Sequence, residues 1–220
     1  MHIPRNELAV YFMVVLICAL GFYSYVDSLW TDIAFKCTGE PEHTVEFDVN
    51  KERVYDFVET ADAVMSYNSN LCTGFVAEVS GALVLSGERH DIPSTLMAHV
   101  MGWESGYQKV EGRDGEKGYG QIMEPTANFA AGNLKQEGND VHDWSSFEHA
   151  DTWDIQVGAE VTAWYLSYQK ELWDGDVYTM ILAYNAGQNN VRKHGGTLPE
   201  SWNGPHRYAD AMVSQYGEQL

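Results

Sequence analysis

The chain has 220 residues, 45% of them hydrophobic, which is enough for one sizeable core and an appendage. Its 13 Lys and Arg stand against 32 Asp and Glu, a net charge of −19. Such a surface repels nucleic acid and gives no electrostatic capture of an anionic polymer or membrane face.

From Leu8 to Val26 the residues LAVYFMVVLICALGFYSYV carry no charge and are long enough to span a bilayer. Tyr23, Tyr25 and Trp30 gather at the outer end, Arg5 precedes the run and acids follow it. That asymmetry places the N-terminus in the cytoplasm and the rest of the chain outside. A cleaved signal peptide is the competing reading, with Ala19 and Gly21 near a cut. The weakly basic start and the length of the apolar run favour an anchor. Cys18 follows Ile17, where a lipoprotein signal would want a small residue. Cys37 and Cys72 either pair in an oxidising compartment or remain two buried thiols.

Asp27 to Asn70 is acidic and mixed. Val45, Phe47 and Val49 alternate like a short strand, and Lys51 to Tyr67 reads as an amphipathic helix on Val54, Phe57, Val58, Ala61 and Met65. This region is a spacer and packing element without chemistry of its own. Phe75 to Ser86 is the next helix, with Gly87 as its stop. A further helix starts near Ile92, where Pro93 suits the first helical position and Asp91 or Ser94 could cap it. Leu96, Ala98, Val100 and Met101 form its apolar face, and it runs into Trp103-Glu104-Ser105-Gly106. A carboxylate at the C-terminal end of a helix, among apolar neighbours, has its pKa raised, as a general acid requires.

A loop rich in Gly and charge leads to Gly118-Tyr119-Gly120-Gln121-Ile122-Met123, then Pro125-Thr126-Ala127. The glycines permit close approach of backbone to backbone or ligand, and Gln121 offers a donor and an acceptor. Helices follow at Thr126 to Leu134 and Asp154 to Lys170, separated by a polar loop holding Trp144 and Phe147. The second of these has Ile155, Gly158, Val161, Thr162 and Tyr165 on one side. Val177 to Ala186 is helical and ends at Asn185-Ala186-Gly187, Gly195 to Pro205 is turn-rich, and Arg207 to Tyr216 closes the chain as a helix. Short helices in succession, without a run of strands, predict a mainly-α domain.

The "IP-xx-LM" helix ending in "ES-G", the "G-x-x-QIM-x-PTA" segment and the later "AYNAG" resemble the soluble lytic transglycosylases, which are goose-lysozyme-like. The resemblance covers roughly Phe75 to Tyr208. It implies a mainly-α, lysozyme-like catalytic domain at 73–220, behind an N-terminal transmembrane helix within 1–30 and an acidic spacer at 31–72. It also implies an enzyme that cuts the β-1,4 bond between N-acetylmuramic acid and N-acetylglucosamine in peptidoglycan, and the apolar run Leu8–Val26 makes that enzyme membrane-anchored. In that family the glutamate matching Glu104 protonates the leaving oxygen, and the N-acetyl group of the same sugar meets the charge at the anomeric carbon. The glutamate then takes the C6 hydroxyl proton, closing a 1,6-anhydro ring. Substrate contacts fall to Ser105, Gln121, Met123, Tyr184, Asn185 and Tyr208.

Plain alternatives stand beside these roles. Ser105 could bond its own helix, Met123 could fill core, and Tyr184 and Asn185 could serve only the fold. The sequence departs from the pattern where Glu124 precedes Pro125, where Tyr119-Gly120 replaces Leu-Met, and where Asp154 replaces Asn. Trp103, Trp144, Trp153, Trp164 and Tyr107 offer aromatic surface for sugars, though none is assigned individually.

No metal and no cofactor is expected. His142, Asp143, His149 and Asp151 read as a solvated loop rather than a zinc site, and Glu111, Asp114 and Glu116 lack EF-hand spacing. A hydrolytic muramidase of the same fold and an inactive wall-binding scaffold remain the alternatives. The setting is open among wall turnover, secretion or conjugation, and phage assembly. The domain faces the periplasm or outside if anchored; release by cleavage or a virion-associated form are the other placements.

Overall fold

The computed structural model describes residues 51–216. The apolar run Leu8–Val26, the alternation at Val45, Phe47 and Val49, and the cysteines Cys18 and Cys37 lie outside the described residues. Within the described residues, no helix is long and apolar enough to cross a membrane.

Eight α-helices are described: α1 Lys51–Tyr67, α2 Thr73–His90, α3 Ser94–Ser105, α4 Glu124–Glu137, α5 Ile155–Leu172, α6 Val177–Ala186, α7 Gln188–Lys193 and α8 Asn203–Tyr216. A single 3-10 turn, His149–Trp153, precedes α5. Among the described residues the only β pairing is an isolated bridge between Lys117 and Ile122.

The centre is α5, which is buried on nearly every side, from Ile155 and Val157 through Leu166 to Gln169. Asp154 starts it by accepting the backbone N–H groups of Gln156 (2.8 Å) and Val157 (3.2 Å), so the Asp in place of Asn serves as a full N-cap. One face of α5 packs on α2 and α6 in the main core, with Leu83, Leu96, Met101, Ile181 and Met212. The other face packs on α4 in a second cluster, with Leu134, Trp144, Val161 and Trp164. Tyr184 rests against both clusters.

Two expectations shift. Gly87 does not stop α2, which runs on to His90 and turns at Asp91, a residue in the left-handed region (φ 53°). Gly87 is there for proximity: a Cβ on it would lie 2.5 Å from the Ile92 carbonyl oxygen, because the chain folds straight back over it. Asp91 therefore caps the end of α2, and the N-cap of α3 is Pro93 with no side-chain bond. In α1 the inward face is Thr60, Ala63 and Val64, while Val58 and Met65 face solvent. Thr60 shares a 2.7 Å hydrogen bond with Ser94, and Gly102 lies against the Tyr67 ring, so α1 is clamped along α3.

Cys72, at the N-cap of α2, is disulfide-bonded.

Glu160 binds these parts together. Its carboxylate, on α5, is fully buried. It accepts Ser86 Oγ (2.6 Å), Arg89 Nη1 (2.9 Å) and His90 Nε2 (2.7 Å) from α2, and Asn139 Nδ2 from the loop after α4. Asn139 in turn accepts the Trp144 indole N–H (3.0 Å). Burial alone would raise the Glu160 pKa, but the bonds from His90 and Ser86 and the charges of His90 and Arg89 outweigh it and hold the carboxyl below its ordinary value. Glu160→Ala leaves His90 and Asn139 without their acceptor and Arg89 without its counter-ion; it is expected to cost about 3 kcal/mol in denaturant unfolding. A folded pKa below the unfolded one means this contribution is full above the ordinary carboxylate value. It is lost as pH falls towards the lower folded value, so the gap between wild type and variant should narrow in acid.

Candidate active site

Glu104 sits in the last turn of α3, which ends at Gly106 in the left-handed region (φ 57°). Tyr107 follows with φ 58°, an unusual conformation for an aromatic residue, held by its hydroxyl donating to the Ala98 carbonyl (2.6 Å). This corner fixes the direction in which the chain leaves the acid. Asn68 secures it from α1's side by donating to the Gly106 carbonyl (3.1 Å).

Burial raises the Glu104 pKa from the ordinary 4.5 to about 7. Tyr208 and Asn185 reach its carboxylate and partly offset that rise, while the negative charge of Glu116 adds to it. The Tyr208 side chain is 1% exposed, and its hydroxyl makes no hydrogen bond of ordinary geometry. It therefore lies within the core beside Glu104. Burial and the nearby Glu104 charge push the Tyr208 and Tyr184 hydroxyls well above 10, so both stay neutral donors.

Tyr184, on α6, donates to the Gly120 carbonyl (2.8 Å). Gly120 must be glycine here: a Cβ would strike the Thr162 hydroxyl and come within 2.9 Å of the Tyr184 hydroxyl. The sequence departure at Tyr119-Gly120 thus has a steric reason, and Tyr119 is buried against Phe75. His149 Nε2 donates to the Ile122 carbonyl (2.7 Å), and Lys117 and Ile122 pair through both backbone N–H groups. The Gly118–Met123 segment is therefore held on three sides. Glu124 is the first residue of α4, where its charge suits the positive end of the helix, with Pro125 next.

The residues singled out from the sequence divide into three groups. Glu104, Tyr184, Asn185 and Tyr208 come together. Gln121 spends both amide hydrogens on the Val110 and Gly118 carbonyls (2.8 Å each), leaving only its oxygen to accept; its own φ is 48°. Met123 is 41% exposed and is not core filler. Ser105 turns to its own backbone, donating to the Met101 carbonyl and accepting the Tyr107 N–H, both at 3.1 Å. Glu116, which the sequence offers only as a calcium ligand without EF-hand spacing, has a charge that reaches Glu104; the loop that brings it there has no sequence pattern. No cluster of metal-ligating side chains occurs among the described residues.

A family model described as "Transglycosylase SLT domain" matches residues 85–200, more than half of the chain. The chain belongs to that family. It is a lytic transglycosylase-type peptidoglycan enzyme, and its helical architecture fits the lysozyme-like fold. No curated protein matches it. The matched span holds Glu104, the Gln121 segment and Tyr184-Asn185, and ends short of Tyr208.

Tyr208 and Asn185 lower the Glu104 pKa, so removing either should raise it. In NMR titration the wild-type carboxyl should have its midpoint at about 7, and Tyr208→Phe and Asn185→Ala should each move it upward.

Proposed function

We propose that the chain is a membrane-anchored lytic transglycosylase that cuts the N-acetylmuramic acid–N-acetylglucosamine bond without water. The observation that carries this reading is a half-buried carboxyl, Glu104, whose pKa burial lifts to about 7 beside the uncharged side chains of Tyr208 and Asn185. A carboxyl poised at about 7 gives up a proton and takes one back with little cost either way, which suits one group doing both steps.

Glu104 donates its proton to the glycosidic oxygen as the bond to the anomeric carbon breaks, and the N-acetyl oxygen of that sugar takes up the positive charge. Tyr208 and Asn185 stabilise the carboxylate so formed. That carboxylate removes the C6 hydroxyl proton, and O6 attacks the anomeric carbon to close the 1,6-anhydro ring. Asn185, exposed and close to the acid, binds the N-acetyl group, the Gln121 oxygen accepts from a sugar hydroxyl, and Met123 offers an apolar rim; the exposure of Asn185 and Met123 supports these roles. Tyr184 holds the wall of the site through Gly120, and Ser105 shapes the corner after Glu104.

The Cys72 disulfide supports an oxidising, exported location. The apolar run Leu8–Val26 supplies the anchor, with 31–72 as spacer and 73–220 as the catalytic unit facing the wall.

One observation favours a second reading. The charge of Glu116 is felt at Glu104, and a second carboxylate is what a hydrolytic muramidase uses to activate water. Digestion of purified peptidoglycan by the full chain, with products weighed, separates the two: anhydro ends are one water lighter. Glu104→Gln should lower turnover by about 10³-fold. Because the acid must be protonated to start, kcat/KM should fall above about pH 7. An unchanged Glu104→Gln rate would remove this proposal.

A further inference from the structure

The aromatic residues that the sequence offers for sugars do not share one environment. Trp144, Trp164 and Tyr107 are buried, but Trp103 is 49% exposed. It stands immediately before Glu104 on a helix that otherwise buries Leu96, Met97, Ala98, Val100, Met101 and Gly102. Leaving half an indole in water forgoes burial that its neighbours obtain.

Its position is nonetheless fixed. The Trp103 and Tyr208 rings meet edge to face at 5.7 Å and 89°. Tyr208 is itself locked in the core, with its hydroxyl close enough to Glu104 to lower the acid's pKa. One buried ring therefore lies beside both the acid and the indole, and it holds the exposed surface of Trp103 close to Glu104. The matching chemistry is uncharged and flat-sided. In a chain of net charge −19, an apolar indole recognises the C–H face of a pyranose without charge repulsion.

Resting on the glycan-cleaving reading above, we infer that Trp103 is the stacking platform for an N-acetylhexosamine ring next to the scissile bond, set in place by Tyr208. It binds substrate and fixes which sugar ring lies beside the acid.

The test is calorimetric titration of the full chain with the chitin trimer of N-acetylglucosamine, beside kinetics on peptidoglycan. Trp103→Ala should weaken trimer binding about tenfold and raise KM by a similar factor, with kcat changed less than about twofold. Trp103→Phe, which keeps the edge contact with Tyr208 and a flat face, should recover most of the loss. Binding unchanged in Trp103→Ala, or a fall in kcat at constant KM, overturns the platform. The first shows no stacking, and the second shows that the ring only positions Tyr208 and Glu104. Weakened trimer binding in a chain whose wild type yields no anhydro product would uphold the platform while removing the lyase reading.

Discussion

The hydroxyl of Tyr184 donating to the Gly120 carbonyl is the contact on which the site's geometry rests. It joins α6 to the Gly118–Met123 segment at the seam between the two hydrophobic clusters, where Tyr184 packs against both. The bond requires a residue without a side chain at 120 and a neutral phenol at 184. The first is met by glycine, the second by burial and by the nearby Glu104 charge. Glu104 then lies where α3 ends, with Tyr208 behind it and Asn185 beside it. Partial burial of the acid raises its pKa.

Support for this seam comes from further away. Glu160 ties α2, α5 and the loop after α4 through one carboxylate, and Asn139 passes the connection to Trp144 in the second cluster. A buried charge is costly unless every lone pair is answered, and here both oxygens are. The α1 helix adds a brace along α3 through Thr60–Ser94 and Asn68–Gly106. The helix that carries Glu104 is thus held at both ends by polar bonds, which are directional where apolar packing is not.

Much of this was legible in the sequence, because helices announce themselves by spacing and by their ends. The limits of α1 and α6 follow from apolar periodicity, and the position of Glu104 follows from the Gly106 stop. What could not be read were contacts made by the chain folding back on itself. Gly87 reads as a helix stop because a glycine's usual signal is local, yet its role is close packing against Ile92. The outward turn of Val58 and Met65 depends on which neighbours α1 meets, and their hydrophobicity alone pointed inward. Gln121 reads as a free amide, while its hydrogens are consumed by two carbonyls, one of them eleven residues earlier. The reach of Glu116 to the acid is set by a loop of turns whose sequence carries no period. The reason for Gly120 is likewise long-range, since Thr162 and Tyr184 lie far along the chain.

The central claim is that the C6 hydroxyl of the substrate, and not water, ends the reaction begun by Glu104. Digesting peptidoglycan in water enriched in oxygen-18 and reading the new muramic acid ends by mass spectrometry tests it directly. The account predicts 1,6-anhydro ends with no heavy oxygen incorporated. Reducing ends carrying one oxygen-18 at the anomeric carbon would contradict it, and would make Glu116 the group to examine as the base for water.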